Sequence, residues 1–326
     1  MMEGAELCFP QLNTSCRKPK RPHSDSALIY IILSFISLLT VTLNLLVIIS
    51  ISHFKQLHTP TSFLLLSLSV SDFFVGLLMF FHILVLDGCW FLSDLMCVLY
   101  YFLGFIVTSS SVGTMVLISV DRYVAICDPL HYPTKVTVKR VQISVSLCWI
   151  CSLFYNTALI KDNFKQQDTY ISCAGECAII FNSIEQVADL ILTFIIPISV
   201  IIVLYLRVFV VAVSQARAMR SHVAAVALRR SVKVTAKKSE LKAARTLGVV
   251  VVVFLICLCP YYCFTITGQD TLLSASSATF VICLFYFNSC LNPVIYALFY
   301  PWFRKSIKLI VTLQVLKPGS SEAKIL

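Results

Sequence analysis

Seven apolar stretches, each long enough to cross a bilayer, govern what this chain can become. They run over about residues 27–52, 61–86, 94–126, 138–160, 183–213, 241–267 and 276–300. A transmembrane helix needs about 20 largely apolar residues, and each stretch meets that length. Composition agrees: 58% of the 326 residues are hydrophobic, 13% are charged, and the mean hydropathy is +0.87. A soluble domain carries about 25% charged residues, so this chain is too apolar for water. Buried core helices are usually shorter. A transmembrane barrel would show alternation over about ten residues at a time, and that alternation is absent. The fold class expected is an all-α membrane protein, a bundle of seven transmembrane helices.

Orientation follows from the basic residues, because Lys and Arg concentrate on the cytoplasmic side of short loops. Of the 26 Lys and Arg, only Arg17, Lys18, Lys20, Arg21, Lys161 and Lys165 fall on the side of the N-terminus. The N-terminus is therefore expected outside. The net charge of +10 reads as topology plus attraction to anionic lipid of the inner leaflet, not as nucleic-acid binding. No cleavable signal pattern precedes the first stretch, so that helix is expected to start insertion itself. Asn13-Thr14-Ser15 is a glycosylation sequon on the expected outer side. Cys8, Cys16, Cys89, Cys97, Cys173 and Cys177 also fall there, where disulfides persist.

The expected organisation is an extracellular segment over 1–26, the seven-helix domain over 27–300, and a cytoplasmic amphipathic helix and tail over 301–326. "PWFRKSIKLIVTLQVL" starts on a helix-compatible Pro and mixes apolar and basic residues at helical spacing, the pattern of a helix lying on a membrane surface. The basic segment 214–240 reads equally as helix extensions or as a flexible loop. The closing "KPGSSEAKIL" reads as disordered.

Polar residues at fixed places narrow the function. Asn44 lies in "TLNLLVI", Asp72 in "LSVSD", Asp121-Arg122-Tyr123 ends the third stretch, Trp149 is in the fourth and Pro197 in the fifth. Pro260 is in the sixth, and Asn292-Pro293-Val294-Ile295-Tyr296 in the seventh. This set, in order, resembles the rhodopsin-like G-protein-coupled receptors. "HFKQLHTPTSFLLLSLSVSDF", "DRYVAICDPLHYP" and "NSCLNPVIYALFYPWFRKSIK" resemble the trace amine-associated receptors among them.

The resemblance implies roles for many of these residues. Asp72, Asn44, Asn288 and Asn292 would form a sodium-and-water network, Na+ being the one cofactor implied. Read from physics alone, they are polar groups in apolar helices that must bond one another, water or an ion. Asp121 would hold Arg122 in a resting ion pair, with Glu240 a second candidate partner. Tyr205 and Tyr296 would support an active form in which Arg122 meets a heterotrimeric G protein. Cys97 would pair with Cys177, and Cys173 with Cys16, while the state of Cys8 stays open.

Amine receptors hold the ligand ammonium on a helix-three aspartate above the Asp-Arg-Tyr arginine. Eighteen residues before Arg122 is about five turns, roughly 27 Å up the same face. That position is Gly104. Asp189 stands eight residues before Pro197, about 12 Å toward the outer side and at a comparable depth. A carboxylate within so apolar a stretch is a functional candidate by default. Divergent members of the family carry the amine-binding acid on helix five, and Asp189 reads as that acid; the bland reading is a structural Asp bonded to a neighbouring hydroxyl. Tyr261, Tyr262 and Tyr286 would supply aromatic walls, which attract cations. Thr108 and Ser109 would face a ligand or bond their own helix backbone. Glu185, one turn above Asp189, is a second cation site or a solvated rim charge. The family's usual Trp two residues before the helix-six proline is Leu258 here, with Phe254 one turn deeper.

The function expected is an olfactory-type receptor for volatile or water-borne amines that acts through a stimulatory G protein to raise cAMP. Its partners would be a small amine, that G protein and membrane lipid. A receptor of this fold for a non-amine ligand, or a constitutively active orphan, is the alternative. A transporter fits worse, since internal repeats and interrupted helix pairs are missing. Enzyme chemistry fits least: six His stand without metal spacing, and no nucleophile–base pattern is present.

Overall fold

The computed structural model describes residues 7–17, 23–165, 173–179, 181–223, 248–263 and 275–325. The described elements are helices: α1 (His23–His53), α2 (Pro60–Asp87), α3 (Asp94–Cys127) and α4 (Val138–Lys165) come first. Next is α5, built of an α segment Ser183–Asp189, a π-helical turn Leu190–Ile195 and a second α segment Ile196–Val223. Then come α6 (Gly248–Cys263), α7 (Ala275–Phe299) and α8 (Pro301–Val311). Six are long and apolar enough to cross a membrane, and α6 is a shorter apolar helix. The chain is a seven-helix bundle followed by an amphipathic helix. Glu240 and the basic segment around it lie outside the described residues.

The helices begin and end where local chemistry dictates. Thr59 caps α2, accepting from Ser62 N at 3.3 Å, with Pro60 in the first turn where its missing N–H costs nothing. Gly88 ends α2 at φ 78°, a left-handed conformation that suits glycine. Ser93 caps α3 by accepting from Met96 N.

Burial is inverted relative to a soluble protein. Phe35, Phe154 and Phe209 point outward at 64%, 71% and 66% exposure, while Thr40, Asn44, Ser69 and Asp72 are wholly buried. Lipid solvates the apolar rim, and polar side chains tie helices together inside. Gly76 lets α2 close on α1. A Cβ there would come within 2.9 Å of Val41 Cγ2, and Ser37 Oγ donates to the Gly76 carbonyl at 2.6 Å.

At the rim bearing the N-terminal segment, residues 7–17 double back on themselves and pair with the loop before α5. Cys8 N donates to the Cys16 carbonyl, Cys16 N to Ala174 and Ala174 N to Thr14. Three disulfides brace this cap: Cys16–Cys173, Cys97–Cys177 and Cys8–Cys89. The third settles the pairing of Cys8 that the sequence left open. Asn13 is exposed at the turn, and Ser15 of the sequon is buried, its hydroxyl accepting from Phe9 N at 2.8 Å.

At the opposite rim the expectation of a disordered tail is corrected. After α8 the chain turns at Leu313 (φ 56°) and Gly319 (φ 79°), both left-handed, and folds back over the end of α1. The composition of the tail hid this, because the holding groups are a single apolar residue, Ile325, and polar partners supplied by the α1–α2 connection.

Candidate functional site

Asp189 closes the first α segment of α5 and is half-buried. Its Oδ1 accepts the Tyr155 hydroxyl from α4 at 3.2 Å. Thr193 Oγ1 donates to the Asp189 carbonyl at 2.7 Å and lies 3.3 Å from the Tyr262 hydroxyl of α6. The π-helical turn follows at once, with Ile196 N donating to Ile191 O, five residues back. Pro197, next in sequence, has no N–H for a regular helical bond, which favours an irregular ladder at this place. Single π turns recur at functional sites, and this one sets the phase at which the helix continues below Asp189.

Aromatic rings surround the carboxylate region. Tyr262 is buried and stacks on Phe194, ring centroids 4.2 Å apart, and Tyr261 packs on Phe285 at 4.8 Å. On α3, Gly104 leaves space: a Cβ built there meets nothing within 4 Å. Thr108 and Ser109 are half-buried one turn deeper, and Ser109 Oγ accepts from Asn156 Nδ2 at 3.2 Å. Tyr286 also meets a second polar group, 3.4 Å from the Tyr100 hydroxyl, which in turn is 2.8 Å from His82 Nδ1. Among the expected residues, Asp189 and Tyr262 meet through Thr193. Tyr286 reaches Tyr261 through Phe285, with ring centroids 5.5 Å and 4.8 Å apart in turn.

Glu185 has a role that neither sequence reading named. It is the third residue of a capping box: Asn182 Oδ1 accepts from Glu185 N, and Glu185 Oε2 accepts from Asn182 N, each at 2.9 Å. Its carboxylate starts α5, which is a structural task. Tyr155 is the residue the sequence reading missed. A tyrosine in an apolar run gives no sign of which neighbouring helix its hydroxyl meets. A cavity of about 340 Å³ also lies under the cap, beside Trp90, Glu176 and Cys177. It contains none of the candidate ligand residues and is walled largely by loop and disulfide.

Deeper in the bundle, Asn292 Nδ2 donates to Asp72 Oδ2 at 2.8 Å, and Asn44 Nδ2 donates to the Ser289 and Thr40 carbonyls, both at 3.0 Å. The oxygens Asp72 Oδ1, Asn44 Oδ1, Asn288 Oδ1 and Asn292 Oδ1 are buried without a bonding partner. Unpaired buried acceptors are costly, and such a group suits a small hard cation or water.

At the opposite rim Asp121 and Arg122 form a buried ion pair. Thr61 Oγ1 donates to Asp121 Oδ2 at 3.0 Å and accepts from Arg122 Nη2 at 2.7 Å. Tyr132, from the one-turn helix Tyr132–Lys135, donates to Asp121 Oδ1 at 2.8 Å. The aspartate thus has both oxygens engaged. Tyr123 packs partly buried beside Ile126 and Val208. Tyr205 and Tyr296 bury hydroxyls without a partner, and Pro293 lies inside α7. Leu258 and Phe254 are both buried in the core above. Outside the membrane spans, Asp128 is clamped by Lys135 at 2.8 Å and His131 at 2.7 Å, and these bonds hold its carboxyl below the usual carboxylate range.

The family model described as "7 transmembrane receptor (rhodopsin family)" matches residues 43–296. Trace amine-associated receptor 13c of Danio rerio is 38% identical over 332 residues, covering 99% of this chain and 97% of that one. Trace amine-associated receptor 6 of Homo sapiens is 38% identical over 331 residues, covering 98% and 96%. Trace amine-associated receptor 8a of Rattus norvegicus is 38% identical over 328 residues, covering 97% and 95%.

Proposed function

Because the chain belongs to the rhodopsin family of seven-transmembrane receptors and, within it, to the trace amine-associated receptors, we propose that it senses volatile or water-borne amines. In this reading it is an olfactory-type receptor of the plasma membrane, its N-terminal segment (1–26) extracellular and its tail (301–326) cytoplasmic. Amine binding acts through a stimulatory G protein to raise cAMP. The bound ligand does no chemistry; it shifts the population toward the active arrangement by binding that arrangement more tightly.

The observation that carries the proposal is Asp189, a carboxylate half-buried at the head of the π turn with tyrosines from α4 and α6 about it. An ammonium would pair with the carboxylate while aromatic faces stabilise it by about 0.5–2 kcal/mol each. Tyr261 and Tyr262 would line this site, with Gly104 and Thr108 opposite and Tyr286 at its far side. Arg122, released from Asp121, would meet the G protein, with Tyr205 and Tyr296 turning their unpaired hydroxyls to the active form. Asp72, Asn44, Asn288 and Asn292 fit a sodium ion through their unpaired oxygens, and such an ion would favour the resting arrangement.

The test is an amine panel read by a cAMP reporter, comparing wild type with Asp189→Asn at equal surface expression. Breaking a buried ion pair costs about 3–5 kcal/mol. At tenfold per roughly 1.4 kcal/mol, potency should fall by about 100-fold or more. Wild-type potency in the variant would make Asp189 structural and remove the basis of the amine assignment.

A further inference from the structure

We propose that the segment Ser320–Ile325 is a self-docking latch, which holds the α8 end of the bundle in its resting arrangement by seating on the connection between α1 and α2. Four contacts define it. His53 Nε2 lies 2.9 Å from Ser320 Oγ, and Lys55 Nζ donates to Glu322 Oε1 at 2.6 Å. Gln56 Oε1 accepts from Ile325 N at 3.0 Å, and the Ile325 side chain is 1% exposed.

The apolar contact dominates. Lys55 and Glu322 are 64% and 66% exposed, and such surface pairs contribute little to stability. Ile325 instead joins the buried apolar core of the bundle, which also includes Phe54, Leu57, Trp302, Phe303 and Tyr296. Tyr296 ends the Asn-Pro motif of α7, and its ring packs edge-on to Phe303 of α8, centroids 6.5 Å apart. One residue from the tail therefore belongs to the same continuous core as the α7 tyrosine. Well-packed cores respond to lost volume by shifting between discrete arrangements, so removing Ile325 loosens the place where α7 and α8 meet.

The geometry also names a release point. Ser320 Oγ donates to the Val315 carbonyl at 2.6 Å while facing His53. A carboxylate in place of that hydroxyl loses the bond it donates and faces the Val315 carbonyl oxygen, so Asp at 320 weakens docking. Gly319 makes the turn before it at φ 79°, where a side chain is strained.

The experiment has two arms. In permeabilised membranes, Ile325→Cys should react with a maleimide at least about tenfold more slowly than Leu316→Cys, the factor that roughly 1.4 kcal/mol of docking gives. Leu316 is 77% exposed and serves as the free reference. Adding Ser320→Asp to Ile325→Cys should raise its rate toward the reference. Because Cys fills less space than Ile, docking is measured a second way, by a short bis-maleimide bridging Lys55→Cys to Glu322→Cys with Ile325 intact. Equal labelling rates together with failure to cross-link would overturn the docking. The second arm rests on the receptor reading: Ile325→Asp should raise amine-independent nucleotide exchange on a co-expressed G protein by about fivefold, the lower end of couplings between sites. Unchanged exchange in a variant that still responds to agonist would overturn the restraint. A receptor that activates no G protein with any amine would instead count against the proposed function, and the labelling arm would stand.

Discussion

Tyr155 and Asp189 share one hydrogen bond, 3.2 Å from the α4 hydroxyl to the α5 carboxylate. It engages Oδ1, and in the proposed reading it orients the carboxylate that meets the ligand cation. Tyr155→Phe should therefore lower amine potency by about 3–10-fold, the cost of a net 0.5–1.5 kcal/mol bond. Dose–response curves at matched expression check this. A shift under about twofold would show that the hydroxyl does not position the acid.

Gly104 faces open space, so an acid placed there meets no steric objection. Gly104→Asp combined with Asp189→Asn should restore part of the amine response. Gly104→Asp alone, with acids on both sides, should gain response to diamines, whose two cations can each find a carboxylate. A double variant as silent as Asp189→Asn would mean the two positions do not open on one cavity.

At the other rim, Arg122→Ala should abolish G-protein activation while leaving ligand binding largely intact, because Arg122 lies about 27 Å along α3 from the level of Gly104. Tyr132→Phe removes a donor to Asp121 without touching Arg122. It should raise basal signalling by loosening the Asp121 side of the ion pair. Radioligand binding beside a G-protein activation assay separates the two effects; full signalling by Arg122→Ala would refute the coupling role.

The three disulfides should rank in importance. Cys97→Ala frees α3 from the loop that carries Cys177 and should abolish surface expression or signalling. Cys16→Ala and Cys8→Ala untie only the N-terminal segment, from the loop and from the α2–α3 connection respectively, and should do less damage. Surface staining and thiol labelling measure both; free thiols at Cys97 and Cys177 in surface receptor would contradict that bridge.

The bundle itself was legible because its cause is local and repeated: about 20 apolar residues at a time, each demanding the same solution. Asp189 stood out for the same reason, as a charge where none is cheap. Its setting did not. Tyr155 reaches it across a helix interface, and side-chain periodicity reports a face, not the residue opposite. Glu185 looked like a rim charge because a capping box is recognised only once the helix start is known. The tail misled for a third reason. A Ser-, Gly- and Lys-rich run cannot make its own core, yet Ile325 joins the core of the bundle.

The π turn at Leu190–Ile195 has a consequence for how this helix can change. A helix carrying one surplus residue in a turn can lose it without breaking the chain of bonds on either side. Each residue of an α-helix is worth about 100° of rotation. If the turn relaxed to regular α form with all its residues kept, Asp189 would swing by about that angle relative to the anchored lower half of α5. The acid's direction thus depends on this turn staying wide as well as on the acid's identity, and a change of helical state confined to Leu190–Ile195 would re-aim the site with no substitution at all.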